Sequence, residues 1–233
     1  MLENFDFNRV IVMLLPLIFA VSLHEAAHGL AAMKMGDDTA ARAGRLTLNP
    51  MRHLDPVGSV LLPLLLALSG APFIIGYAKP VPVNFARLNS WRKGTIWVSL
   101  AGVLANLACL AVSAVAFRLL FALTSDWNTT SQVTRLIVTD LQLILGFSVL
   151  INAILAVFNM IPIPPLDGSK VLLVFLPPGI RKRFASIERL GIILILALLL
   201  LKADWFFAII WFFIMPLLMV ALGSDGLMFI ANA

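Results

Sequence analysis

Long stretches of nearly uncharged residues decide what this chain can fold into. Apolar runs cover 10–33, 57–75, 94–123, 135–161, a region around 190–201 with its flanks, and 205–222. A helix needs about 20 such residues to cross a hydrocarbon core. Composition agrees: 61% of the 233 residues are hydrophobic and 12% are charged, where a soluble domain has about 25% charged. The runs are not the ten-residue alternations of a β-barrel. The expected class is an all-α polytopic membrane protein of about five or six transmembrane helices with a re-entrant or extended membrane-associated segment. No polar stretch is long enough to bury a core of its own. Residues 1–233 therefore read as one membrane-embedded domain, with a core at about 9–180 and further helices at about 187–222.

The basic residues lie mainly in the loops between runs, as topology signals do, so the net charge of +5 does not point to nucleic acid. Cys109 is the single cysteine and lies in an apolar run, which rules out an intramolecular disulfide. Ala20-Val21-Ser22 resembles a signal-cleavage site, but Glu3 and Asp6 outweigh Arg9 where a signal needs positive charge. The first run is expected to be a retained span.

That run carries His24-Glu25-Ala26-Ala27-His28. On a helix, positions i and i+4 share a face, so two imidazoles can reach one metal ion with a carboxylate beside it. Zinc hydrolases use this layout: neutral imidazoles hold the ion and the carboxylate takes a proton from water. Ionisable side chains inside a span are costly and functional by default.

The first span, about 9–35, ends at Gly36-Asp37-Asp38, and residues 45–50 alternate in a way that predicts a short extended strand. Asp55-Pro56 opens the run 57–75, which either dips in and returns or crosses. The prolines of 76–84 forbid helix and favour an extended segment. Small residues Ser99, Ala101, Gly102 and Ala105 mark a close-packing face on the next helix, 94–123. The helix at 135–161 is broken by Pro162-Ile163-Pro164-Pro165, and Leu166-Asp167-Gly168 starts a short apolar piece. If 57–75 re-enters, the loops 34–55, 77–93 and 177–189 share one side. They hold most of the Lys and Arg, so that side is cytoplasmic.

Two histidines leave a catalytic zinc one protein ligand short. His53 is a weak candidate, better read as a loop hydrogen-bonder. Asp167 is the stronger one, being the acidic residue of the Pro-rich break beside a glycine. Motif and Asp167 each lie about ten helical residues, or ~15 Å, from the ends facing the cytoplasm, so they can share a level. Asn159 reads either as an interhelical hydrogen-bonder or as a donor to a developing oxyanion. Asn106 and Asn152 carry the interhelical reading first.

Taken together, His24-Glu-Ala-Ala-His28 and Asn159-Met-Ile-Pro-Ile-Pro-Pro-Leu-Asp167-Gly168 resemble the site-2 protease family of intramembrane zinc metalloproteases. Gly44-Arg-Leu-Thr-Leu-Asn-Pro50, Asp55-Pro-Val-Gly58, Ala78-Lys-Pro-Val-Pro82 and Ala101-Gly102 with Asn106 are similar to the compact bacterial members, without a PDZ or CBS domain. The resemblance implies one zinc per chain on His24, His28 and Asp167, Glu25 as base, and Asn159 as a substrate-holding residue. It also implies a multi-pass protein of the bacterial cytoplasmic membrane, with its site toward the cytoplasm and a transmembrane helix of another protein as substrate. The family often has Gly-Pro where this chain has Gly102-Val103, a local departure. Segments near Leu46 and Val81 are candidates to pair with an unwound substrate strand. A membrane metal-ion carrier and a non-catalytic membrane binding protein are the alternatives, and a carrier has no need of a base between its ligands.

Overall fold

The computed structural model describes residues 7–61, 78–124, 131–186, 191, 193–195, 197 and 204–232. Its main helices are α1 (Phe7–Lys34), α2 (Thr39–Arg42), α3 (Trp91–Thr124), α4 (Gln132–Asn159), α5 (Asp167–Phe175), α6 (Pro178–Ser186) and α7 (Asp204–Ala231). Among the described residues, four helical segments are long and apolar enough to cross a membrane: Val12–Lys34, Trp91–Thr124, Gln132–Asn159 and Asp204–Ala231. The expected spans at 9–35, 94–123, 135–161 and 205–222 match these within a few residues at most ends. The span expected at 190–201 lies largely outside the described residues, and so does 57–75 beyond its opening π-helical turn, Pro56–Leu61. Asp55 caps that turn by accepting from the Gly58 amide at 2.8 Å.

Residues 45–50 do not form the expected strand. The polar groups of Thr47 and Asn49 are spent locally instead. The Thr47 carbonyl bonds the His53 ring at 2.8 Å, and the Asn49 side chain accepts from Met51 N to cap the 3₁₀ turn Pro50–Arg52. Segment 78–84 is free of helix, as its prolines require.

The chain forms two compact units, Met1–Ala20 with Val103–Ala233, and Val21–Gly102, and both draw on α1 and α3. In the first unit α4 packs along α7, and Phe117, Phe147, Val149, Ala153, Ile210, Ile214 and Leu218 form its core. Outward residues are apolar as well: Val112, Leu119, Phe212 and Val220 are exposed, as lipid-facing positions are. Polar side chains turn inward. Asn106 and Asn152 are fully buried, and Asn106 donates to Asn152 Oδ1 at 2.8 Å and to the Ala20 carbonyl at 3.3 Å. This is the interhelical role expected of both. Helical geometry in α7 fails at Gly223, whose φ of 72° is left-handed. There the Arg118 guanidinium donates to the Ala221 and Val220 carbonyls at 2.8 and 2.6 Å, satisfying groups the break leaves without helical partners.

In the second unit α1 stops at Gly36, whose φ of +103° suits glycine, and where a Cβ would come within 2.5 Å of Asn89 Oδ1. Asp37 follows and is fully buried. Its carboxylate accepts from the Thr39 hydroxyl, from Thr39 N at 3.1 Å and from Asn84 N at 2.6 Å. It thereby ties the end of α1 to the segment that follows residue 78. Burial pushes its pKa up, but these hydrogen bonds and the Arg87 charge outweigh burial and hold it below the usual aspartate value.

A carboxylate with a depressed pKa stabilises the fold at neutral pH, and that stabilisation is lost as pH falls through the folded-state value. Asp37→Ala is expected to cost about 2–4 kcal/mol, because buried amides lose a charged acceptor. Thermal unfolding in detergent measures this. The gap between wild type and Asp37→Asn should stay level near neutrality and close only below the ordinary aspartate range.

Candidate active site

α1 places His24 and His28 one turn apart on a single face, and both are buried. Their Nε2 atoms approach to 2.9 Å, with the rings edge to face at 87°. His28 Nδ1 lies 2.7 Å from the Val98 carbonyl on α3. A carbonyl only accepts, so Nδ1 carries the proton and Nε2 keeps its lone pair. This is the outer hydrogen bond that fixes tautomer and ring orientation in metal-binding histidines.

The pair fits a metal ion. Two nitrogens at ~2.0–2.1 Å from one tetrahedral zinc are about 3.3 Å apart, a few tenths of an ångström beyond the separation found. The wall beside them is backbone. A Cβ on Gly102 would stand 2.6 Å from Nε2 of both His24 and His28, and 2.5 Å from His24 Cε1. Only glycine lets α3 come this close. The sequence marked Gly102 as part of a small packing face; what it packs against is the converging pair of Nε2 nitrogens.

Glu25 is half-buried beside the histidines. Its Oε2 accepts from the Val81 amide at 2.7 Å. That amide is therefore engaged and not free to pair with a substrate strand. His53 is buried as well, but it bonds the Thr47 carbonyl and acts as a loop hydrogen-bonder.

The remaining candidates belong to the other unit. α4 ends at Asn159, whose side chain donates to the Leu155 carbonyl at 2.9 Å, so one of its two amide hydrogens is committed to its own helix. The chain then turns through 160–166, with a cis bond between Pro164 and Pro165, and α5 begins at Asp167. The Asp167 carboxylate is buried at this helix start, where an acidic group is favoured. Lys170 Nζ pairs with its Oδ1 at 3.0 Å. Gly168 is needed here for space. A Cβ would meet the Met160 carbonyl oxygen at 2.2 Å, so the turn folds directly onto the end of α4.

His24 and His28 in one unit and Asp167 in the other are each buried, and each offers a ligand atom suited to a metal ion. Sequence reasoning missed three supporting groups: the Val98 carbonyl, the Val81 amide and Lys170. Two are backbone groups that no residue type announces. For Val81 the flanking prolines were a signal, since they make it the one N–H donor of 80–82.

Residues 12–202 match the family model described as Peptidase family M50. "Putative zinc metalloprotease YwhC" of Bacillus subtilis is 35% identical over 186 residues, which is 80% of this chain and 78% of that protein. "Putative zinc metalloprotease Rip2" of Mycolicibacterium smegmatis is 32% identical over 200 residues, 84% of this chain and 70% of that one. Its namesake in Mycobacterium tuberculosis is 31% identical over 199 residues, with the same coverage. No solved structure matches the chain. The family match runs through the histidine motif of α1, the Gly102 wall and the Asp167 turn, and the chain belongs to Peptidase family M50, the site-2 proteases.

Proposed function

We propose that this chain is an intramembrane zinc metalloprotease that hydrolyses peptide bonds within transmembrane segments of other proteins. The observation that carries the reading is the pair of buried imidazoles with converging Nε2 atoms, beside a carboxylate, in a helix long and apolar enough to span a membrane. His24 and His28 supply two zinc ligands. Asp167 supplies the third, on the ground that two imidazoles leave a catalytic zinc one protein ligand short and that its carboxylate is a buried acidic group beside the Pro-rich break. When bound, the ion polarises the scissile carbonyl and lowers the pKa of water to ~7.

Glu25 is the general base and later the acid. Its Oε2 is occupied by the Val81 amide, so Oε1 takes the proton from the attacking water and delivers it to the leaving amine. Asn159 keeps one amide hydrogen on Leu155 and turns the other to the oxygen that becomes the oxyanion. A transmembrane helix hides its carbonyls in its own hydrogen bonds, so the substrate unwinds before attack.

The protein is an integral membrane protein acting on membrane substrates. Residues 1–233 form a single protease domain, with its core at about 9–180. It sits in the bacterial cytoplasmic membrane with the site toward the cytoplasm, a placement supported by the Lys and Arg of loops 34–55, 77–93 and 177–189.

Alanine at His24, His28 or Asp167 should bring bound zinc from one per chain toward none, read by metal analysis of purified protein. Glu25→Gln should keep the zinc and lower cleavage of a model helix by about 10²–10⁴-fold. Wild-type turnover in that variant would sink the mechanism.

Gly102→Ala separates site geometry from stability. Alanine favours a helix by about 1 kcal/mol over glycine, yet its methyl displaces both imidazoles. Zinc affinity should fall at least about tenfold while the unfolding temperature holds or rises. Orientation is tested in a Cys109→Ser background. A cysteine at Asn84 should react with an impermeant thiol reagent from the cytoplasmic side, and one at Asn128 from outside. Labelling of position 84 from outside would reverse the assignment.

A further inference from the structure

Glu25 is held by a chain of contacts that the reaction scheme does not require. Residues 79–82 read Lys-Pro-Val-Pro, and proline has no N–H, so Val81 offers the one backbone donor of 80–82. That donor meets Glu25 Oε2 at 2.7 Å. Val81 also lies directly on α1. A Cβ on Gly29, one turn beyond Glu25, would be 3.1 Å from Val81 Cγ1 and 2.5 Å from Leu46 Cδ2.

Two groups from the preceding loop, one backbone carbonyl and one side chain, set the position of this peptide. The Lys79 amide donates to the His53 carbonyl at 2.8 Å, and the Arg45 guanidinium donates to the Lys79 carbonyl at 2.7 Å. The same nitrogen is 3.5 Å from the Pro80 carbonyl. Lys79 is thus gripped at both its amide and its carbonyl, two residues before the donor to Glu25. Arg45 is 7% exposed and its Nε is buried without a partner. Burying a cation with a donor left over is costly, more than a plain loop tie calls for.

We propose that Arg45 and the Val81 amide are positioning groups for the general base. They fix Oε2 of Glu25, so that Oε1 is the oxygen presented to water. A carboxylate held at one oxygen has one orientation to offer, and orientation is a direct contribution to rate. The proposal rests on the assignment of Glu25 as the base.

The contact is read first without turnover, by hydrogen exchange of the Val81 amide in the metal-free, full-length protein. Glu25→Ala and Arg45→Gln should each speed that exchange at least tenfold. In the zinc-loaded protein Arg45→Gln should lower kcat at least tenfold with KM and zinc content unchanged. Arg45→Lys, which can still reach one carbonyl, should fall between. An ester in place of the Val81 amide, which leaves Arg45 intact, should reproduce the kcat loss should Arg45→Gln fail to fold. Unchanged exchange in Glu25→Ala, or wild-type kcat in the ester protein, overturns the proposal. Full turnover in Glu25→Gln is a different failure: it removes the base assignment and leaves the exchange result standing.

Discussion

The hydrogen bond from His28 Nδ1 to the Val98 carbonyl is the interaction on which the site depends. In hydrocarbon an imidazole has no water to set its tautomer, so a fixed acceptor must do it. A carbonyl in the middle of a helix is ordinarily spent on the amide four residues later, but it has two lone pairs and can take a second donor. Reaching it requires α1 and α3 to lie very close. Gly102 permits that approach, because any side chain there would occupy the space of both Nε2 atoms. One glycine and one carbonyl of α3 thus settle which nitrogens of α1 keep their lone pairs on the side of Gly102.

The spans were legible in the sequence because hydrocarbon leaves a chain few options. An apolar run of membrane length forms a helix or does not insert. Bounds were recovered within a few residues, and the end of the last span at 222 coincides with the left-handed Gly223. The short strand at 45–50 was misread for a local reason. Alternation of side chains cannot reveal that Thr47, Asn49 and His53 satisfy one another within the loop. At the candidate site the signal in the sequence is one of residue type. His24, Glu25, His28 and Asp167 are rare residue types in an apolar setting, and scarcity is itself the signal. Gly168 was noticed for a turn, whereas its close approach to the Met160 carbonyl needs the missing side chain. Backbone donors and acceptors stayed hidden because every residue has them.

At three places where the chain leaves helical geometry, a charged side chain meets the backbone groups left over. Arg118 takes the Val220 and Ala221 carbonyls at the Gly223 kink. Asp37 takes the Thr39 and Asn84 amides past the end of α1. Arg45 takes the Lys79 carbonyl in the Pro-rich segment. An unpaired backbone group in an apolar medium costs several kcal/mol, about as much as bringing a charge to meet it. The chain can therefore leave helical geometry without leaving polar groups bare.

The same reasoning explains why Glu25 is held by backbone. A side-chain donor to Glu25 would bring its own desolvation cost and its own rotamers to order. An amide between two prolines brings neither. Its direction is set by ring-restricted φ angles on one side and by the Lys79 grip on the other. With Val81 on one oxygen, the carboxylate keeps its charge partly compensated while its second oxygen stays available. The orientation of the Glu25 carboxylate is in this way the result of one backbone hydrogen bond.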